Sequence, residues 1–163
     1  RNIIGMQSEF RAVAVTISDT RTTNDDVSGD RLVGCLQEFG FAEVTKEIVR
    51  DDIDEIEAIL RRLSVDSELI ITTGGTGFTP RDNTPEATKR VIERETPGIS
   101  EELRRRSMDA TPMAMLSRGI SGIRGKCLII NFPGSPKAIN ECFDVLKPVL
   151  RHALSLIAGN NKH

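Results

Sequence analysis

Short, nearly unbroken apolar runs and longer stretches of helical periodicity take turns along the chain, separated by a few polar or glycine-rich residues. Ala12 to Ile17 (AVAVTI) predicts a strand buried on both faces, because its apolar character is continuous rather than alternating. Arg21 to Val27 is too hydrophilic to pack and predicts a loop. Ser28 can then cap a helix whose Leu32, Val33, Leu36 and Phe39 recur at helical spacing and which stops at Gly40. Glu43 to Val49 predicts the next strand. Asp52 is the better cap for the helix after it, with Glu55 in capping-box position and Ile53, Ile56, Leu60 and Leu63 as the buried stripe. Leu69 to Thr73 predicts a third strand. Thr84-Pro85 opens a helix reaching about Glu95, and Thr96-Pro97 opens another through Met108.

Thr111 to Gly125 has no clear period and predicts irregular or briefly helical chain. Cys127 to Asn131 is a further buried strand. Ser135-Pro136 opens the last helix, with Ile139, Cys142, Phe143 and Leu146 facing inward, and Pro148 either kinks it or starts a second segment bearing Leu150, Leu154 and Ile157. Asn160 to His163 is a polar tail. Strands separated by helices of this length predict parallel βαβ units, hence a three-layer α/β/α sandwich with a mostly parallel sheet, in one domain whose core spans about 11–159. In such sheets ligands sit at the carboxyl ends of the strands. Ser18-Asp19, Arg50-Asp51, the Gly74 loop and Asn131 to Ser135 all follow strands, so they are expected to converge on one edge.

Composition narrows the function. With 22 Lys and Arg, 24 Asp and Glu, and six Phe as the only aromatic residues, the chain offers neither a basic stripe nor a stacking platform for nucleic acid. No apolar run approaches the roughly 20 residues of a membrane span. No apolar signal segment stands near the start, although the chain begins at Arg1 rather than Met and a longer parent remains open. Cys35, Cys127 and Cys142 are odd in number and lack CxxC spacing, and His152 and His163 have no partner at ligand spacing. Neither a disulfide framework nor a zinc site is expected, and a reducing, cytoplasmic setting fits.

The candidate chemistry begins at Glu68, in ELIITTGGTGFTPRDNTPEA. The strand breaks into Gly74, Gly75 and Gly77, with Thr76 between them, and Asp82 follows. Glycines permit the dihedrals that let several N–H groups converge on an anion. The segment is no dinucleotide fingerprint, since Pro80 stands where the third glycine would be, and no Walker A loop, since Phe78 follows Gly77. Asp51 ends one strand and Asp82 follows another, so two carboxylates beside a phosphate loop suit Mg²⁺. Read as local structure alone, Asp51 and Asp52 are cap residues and Asp82 a turn residue. Asn131-Phe132-Pro133-Gly134-Ser135-Pro136-Lys137 is a second anion cradle at a helix N-terminus. Ser117-Arg118 and Arg124 could recognise phosphate or a planar heterocycle. The Arg104-Arg105-Arg106 run predicts an exposed helix face.

Taken together, SDT at Ser18, SGD at Ser28, TTGGTGFTPRDNTPEAT at Thr72, TPGI at Thr96, AMLSRGISGIRGK at Ala114 and LIINFPGSPKAINEC at Leu128 resemble the molybdopterin adenylyltransferase family, which includes the gephyrin G domain. The resemblance runs from Val13 to about Gly159. It implies adenylyl transfer from Mg-ATP to the terminal phosphate of molybdopterin, with release of pyrophosphate. It implies Asp51 and Asp82 as the essential acids and metal ligands, and Gly74, Gly75, Thr76, Gly77, Asn131, Pro133 and Gly134 as the nucleotide and phosphate loops. On the pterin side it implies Ser117 and Arg118, with Ser18 and Asp19 nearby. It further implies a homotrimer and hand-over of the product to a molybdenum insertase. Arg50 departs from the pattern, since relatives often carry proline before the first acid. The alternative is a non-catalytic molybdopterin-binding or scaffold module.

Overall fold

The computed structural model describes residues 9–160. The chain's start at Arg1 and the tail beyond Asn160, with His163, lie outside the described residues. The elements are β1 (Arg11–Ile17), α1 (Val27–Phe39), β2 (Glu43–Val49), α2 (Ile53–Ser64), β3 (Leu69–Thr73), α3 (Thr84–Val91), β4 (Arg94–Glu95), α4 (Pro97–Ser107), a 3₁₀ turn (Pro112–Leu116), β5 (Ser121–Arg124), β6 (Cys127–Phe132) and α5 (Pro136–Ile157). They build one six-stranded sheet in the order β2-β1-β3-β6-β5-β4. The first four strands of that order run parallel, and β5 lies antiparallel to both β6 and β4.

Two apolar layers explain why the strands read as continuous hydrophobic runs. Ala12, Ala14, Leu69, Ile71, Leu128 and Ile130 face α1 and α5, packing against Leu32, Leu36, Ile139, Phe143 and Leu146. The alternate residues Val13, Val15, Ile17, Ile70 and Ile129 face α2 and α3, against Ile56, Leu60, Ala87 and Val91. Period-two alternation therefore persists, but both faces are apolar because helices cover both. Burying a side chain of this size contributes about 1.5–3 kcal/mol, so these layers hold the strand ends in register. Ile17 pairs with Val49, Thr16 with Thr73, and Thr73 with Phe132. Four loops therefore leave one edge of the sheet together.

Local expectations fail in instructive places. The cap of α1 is Asp26, whose side chain accepts from Gly29 N, rather than Ser28. Asp26 is buried, so the end of the polar run packs after all. Asp52 caps α2, accepting from Glu55 N at 3.0 Å, but Glu55 turns outward to Arg50 at 2.6 Å instead of closing a capping box. The helix opened by Thr84-Pro85 stops at Val91, because the chain must turn into β4. The brief helix allowed for between Thr111 and Gly125 is the 3₁₀ turn, but β5 in the same segment was not expected, and the last helix continues through Pro148 as one element.

Candidate active site

Gly74 leaves β3 with φ +102° and Gly75 follows with φ +71°, left-handed conformations that side chains resist. A Cβ on Gly74 would stand 2.6 Å from the Ile17 carbonyl oxygen, and one on Gly75 would collide with Thr84 Oγ1. This loop thus requires glycine for dihedral and space alike. Gly74 N donates to Phe132 O, Thr73 Oγ1 donates to Pro133 O at 2.8 Å, and Ser28 Oγ donates to Gly134 O at 2.6 Å. Thr84 does not cap α3; its buried hydroxyl donates to Gly74 O at 2.9 Å. The two glycine loops are therefore tied to one another and abut at Gly74 and Gly134.

The two acids stand beside this loop: a Cβ on Gly75 would come 3.1 Å from Asp51 Oδ2, and one on Gly77 2.8 Å from Asp82 Oδ2. Asp51 is buried; its N–H donates to Asp19 Oδ1 at 3.1 Å and its Oδ1 accepts from Asn83 N at 3.1 Å. Burial pushes the Asp51 carboxyl above its ordinary 3.8. The Asn83 N–H opposes that rise, and the Asp82 and Asp19 charges add to it. Asp82 Oδ2 accepts from Thr79 N at 3.0 Å. One oxygen of each acid, Asp51 Oδ2 and Asp82 Oδ1, receives no hydrogen bond from a described residue. Hard carboxylate oxygens left free among mutually repelling charges fit a divalent cation such as magnesium. Among the described residues no group of three or more His, Cys, Asp or Glu side chains could hold a metal by itself. Substrate phosphates and water would complete the coordination.

Asp19 stands apart from Ser117. Arg81 holds it with a two-pronged contact of 2.8 and 3.1 Å and keeps its carboxyl below the usual range. Ser18 lines a small polar recess of about 150 Å³ with Thr16, Asp26, Gly74 and Gly134. Ser117 instead lines a cavity of about 480 Å³ between α4 and α5, with Thr76, Gly77, Pro133 and Lys137 among its walls. The expected pterin group of Ser18, Asp19, Ser117 and Arg118 is thus divided between the two sides of the glycine loops. Asn131 borders the large cavity, but its side chain is engaged within the fold, donating to Thr72 and Thr88 and accepting from Ile120 N. Arg118 turns away from the cavity toward the Asp82 turn.

Sequence reasoning missed Arg81 and Arg104. Arg104 is no member of an exposed run; it lines the cavity and donates to Ser117 O and Gly119 O at 3.2 and 2.8 Å, while Arg105 and Arg106 pair with Glu102. Its place four residues after the buried Ser100 could have flagged it. Nothing in the pattern marked Arg81, which needs the fold to meet Asp19.

Comparisons with known proteins give the family and the fold it shares. The family model described as "Probable molybdopterin binding domain" matches residues 13–152. The chain is 43% identical over 140 residues to the molybdopterin adenylyltransferase of Helicobacter pylori strain J99, covering 83% of this chain and 80% of that protein. It is 45% identical to the molybdenum cofactor synthesis protein cinnamon of Drosophila melanogaster, covering 90% of this chain but only 25% of that longer protein. Among solved structures, the molybdopterin biosynthesis enzyme MoaB of Thermus thermophilus superposes with a TM-score of 0.83 at 41% identity, covering 92% of this chain and 97% of that one. The Mog protein of Mycobacterium ulcerans gives 0.85 at 36% identity, covering 92% and 98%. With a family match spanning most of its length and relatives of this identity, the chain belongs to the molybdopterin-binding domain family of molybdenum cofactor biosynthesis.

Proposed function

We propose that this chain transfers an adenylyl group from ATP to the terminal phosphate of molybdopterin. The observation that carries this reading is the pair of abutting glycine loops, set between a large cavity and a small polar recess, with one buried acid and one turn acid beside them. A pterin fits the larger space, whose walls join apolar Leu103, Met113 and Leu116 to cationic Arg104 and Lys137. Gly74 to Gly77 and Pro133-Gly134 hold the phosphates where the two spaces meet. Asp51 and Asp82 would hold magnesium, which would supply charge neutralisation on the triphosphate. A molybdopterin phosphate oxygen forms a bond to the α-phosphorus of ATP, the bond to the β-phosphate oxygen breaks, and pyrophosphate leaves. Such a transfer needs positioning and charge neutralisation rather than a covalent nucleophile. The thiols are placed accordingly: burial pushes Cys142 up to about 11 and Cys127 to about 12, so neither is a nucleophile.

Three unpaired cysteines fit a reducing cytoplasm, and among the described residues no helix is long and apolar enough to cross a membrane. The product would pass to a molybdenum insertase, and the working unit is a homotrimer. The decisive assay is pyrophosphate release from Mg-ATP with and without molybdopterin. Release that depends on the pterin is expected. Pterin binding without release would replace this reading with a binding or scaffold module, and absence of pterin binding would remove both.

A further inference from the structure

Arg118 adjoins Ser117 in the cavity wall, yet its head makes none of the contacts a ligand there would need. Its N–H donates to Thr76 O at 2.8 Å, its Nε to Gly77 O at 2.8 Å and its Nη2 to Asp82 O at 2.8 Å. Nη1 and Nη2 also reach the two carboxylate oxygens of Glu86, at 2.5 and 3.3 Å. One residue thus joins the glycine loop, the turn bearing the second acid and the first turn of α3. The Glu86 side chain is about half exposed, and a surface ion pair of that kind alone contributes little. The carbonyl bonds differ, because they draw two separate stretches of backbone onto one side chain. A planar guanidinium fork can serve Gly77, Asp82 and Glu86 at once, whereas a lysine ammonium on its flexible stem cannot hold that geometry.

We propose that Arg118 is a positioning residue: it fixes the turn that carries Asp82 relative to the cavity wall at Ser117, and so sets the acid against the bound substrate. The inference rests on the adenylyl transfer proposed above. Asp82 sits on a short turn whose carboxylate accepts one bond, from Thr79 N. Without Arg118, Gly77 O and Asp82 O turn to water and the carboxylate drifts. Misplacement of about 1 Å at a reacting centre can cost on the order of a hundredfold in rate.

The test compares Arg118→Ala, Arg118→Lys and wild type in single-turnover adenylylation, magnesium titration, molybdopterin binding and hydrogen exchange at the Thr79 amide. Arg118→Ala is expected to lower kcat by about tenfold or more and to raise the magnesium needed for half-maximal rate. Molybdopterin affinity should stay unchanged and Thr79 exchange should quicken. Arg118→Lys should remain impaired, and added guanidinium should restore part of the Arg118→Ala rate. Wild-type kcat in Arg118→Ala, full activity in Arg118→Lys, or equal losses of pterin affinity and kcat would each overturn the inference. If Arg118→Ala does not fold, Arg118→Lys takes its place: it keeps the charge but not the fork that serves Gly77 O and Asp82 O together, and should lower kcat with pterin affinity intact, and full activity overturns the positioning role. If wild type itself transfers no adenylyl group, the functional reading falls. Thr79 exchange then decides the positioning alone, quickened in Arg118→Ala if the clamp holds the turn and unchanged if it does not.

Discussion

At the scale of single residues, the two acids make opposite demands on the fold. Asp82 takes part in a local turn that asparagine can also form, because an amide oxygen can accept the Thr79 N–H just as the carboxylate does. Asp82→Asn is therefore expected to fold normally and bind molybdopterin while losing adenylyl transfer by about a hundredfold or more, on the order of 3 kcal/mol, because only the charge is removed. Near-wild-type single-turnover rates would take Asp82 out of the mechanism. Asp51 is the costly one, for burial and two neighbouring carboxylates raise its carboxyl above 3.8. A raised acid holds its proton more tightly in the folded state than in the unfolded one, so stability falls as pH rises through the folded value. Asp51→Asn should therefore be more stable than wild type at neutral pH in metal-free buffer and yet inactive, with the gain disappearing below 3.8. Thermal melts across that range check it; a destabilised Asp51→Asn at neutral pH would show that Asp51 serves the fold rather than the chemistry.

Whole elements account for what sequence could and could not show. Strands β1, β3 and β6 were legible because two covering helical layers make them apolar throughout, and α2, α4 and α5 because Asp52, Thr96-Pro97 and Ser135-Pro136 mark their starts. Strands β4 and β5 were not, being two and four residues long and held by pairing, β5 with β6 and β4 with β5, rather than by local preference. A Cβ on Gly122 of β5 would meet Arg94 O at 2.7 Å, so close backbone approach explains the glycine in this strand. The glycine loops, Asp51 and Asp82 were legible as a group because each directly follows a strand or its loop. The division of Ser18 and Asp19 from Ser117 was not, since only the packing of α4 against α5 opens the large cavity on one side. Asp26 was hidden in a polar run for the same reason: its burial depends on Thr16 Oγ1, which donates to it at 2.6 Å, and on Lys46 at 3.4 Å. Asp26→Ala should destabilise the chain by about 1–3 kcal/mol, combining a lost helix cap with a buried Thr16 hydroxyl left without its acceptor; Lys46 keeps Asp30 at 2.7 Å. Denaturant unfolding measures this, and a change within a few tenths would mean α1 is held by its apolar face alone.

The molecule as a whole leaves one surface that its own elements do not cover. Met113 and Met115 are 66% and 60% exposed, and Met108 and Leu116 join them. All four lie in or beside the 3₁₀ turn that closes one wall of the large cavity, and the other exposed large apolar side chains among the described residues, Val27, Val65, Phe78, Val149 and Leu156, do not share that segment. Flexible, polarisable methionine suits a surface that packs against another protein, and a contiguous exposed apolar patch of this kind marks a contact. A closed ring of identical copies would cover it on every subunit at once, whereas an open arrangement would leave an end uncovered. For the homotrimer proposed above, we expect a species of three times the monomer mass by light scattering at micromolar protein. Met113→Glu with Met115→Glu should dissociate it, because two buried charges would replace apolar surface in each contact. Met113 and Leu116 of this patch also line the cavity, with Ala114, so the dissociated variant should also bind molybdopterin more weakly. A monomeric wild type, or a charged variant that stays assembled, would place the subunit contact elsewhere or remove it.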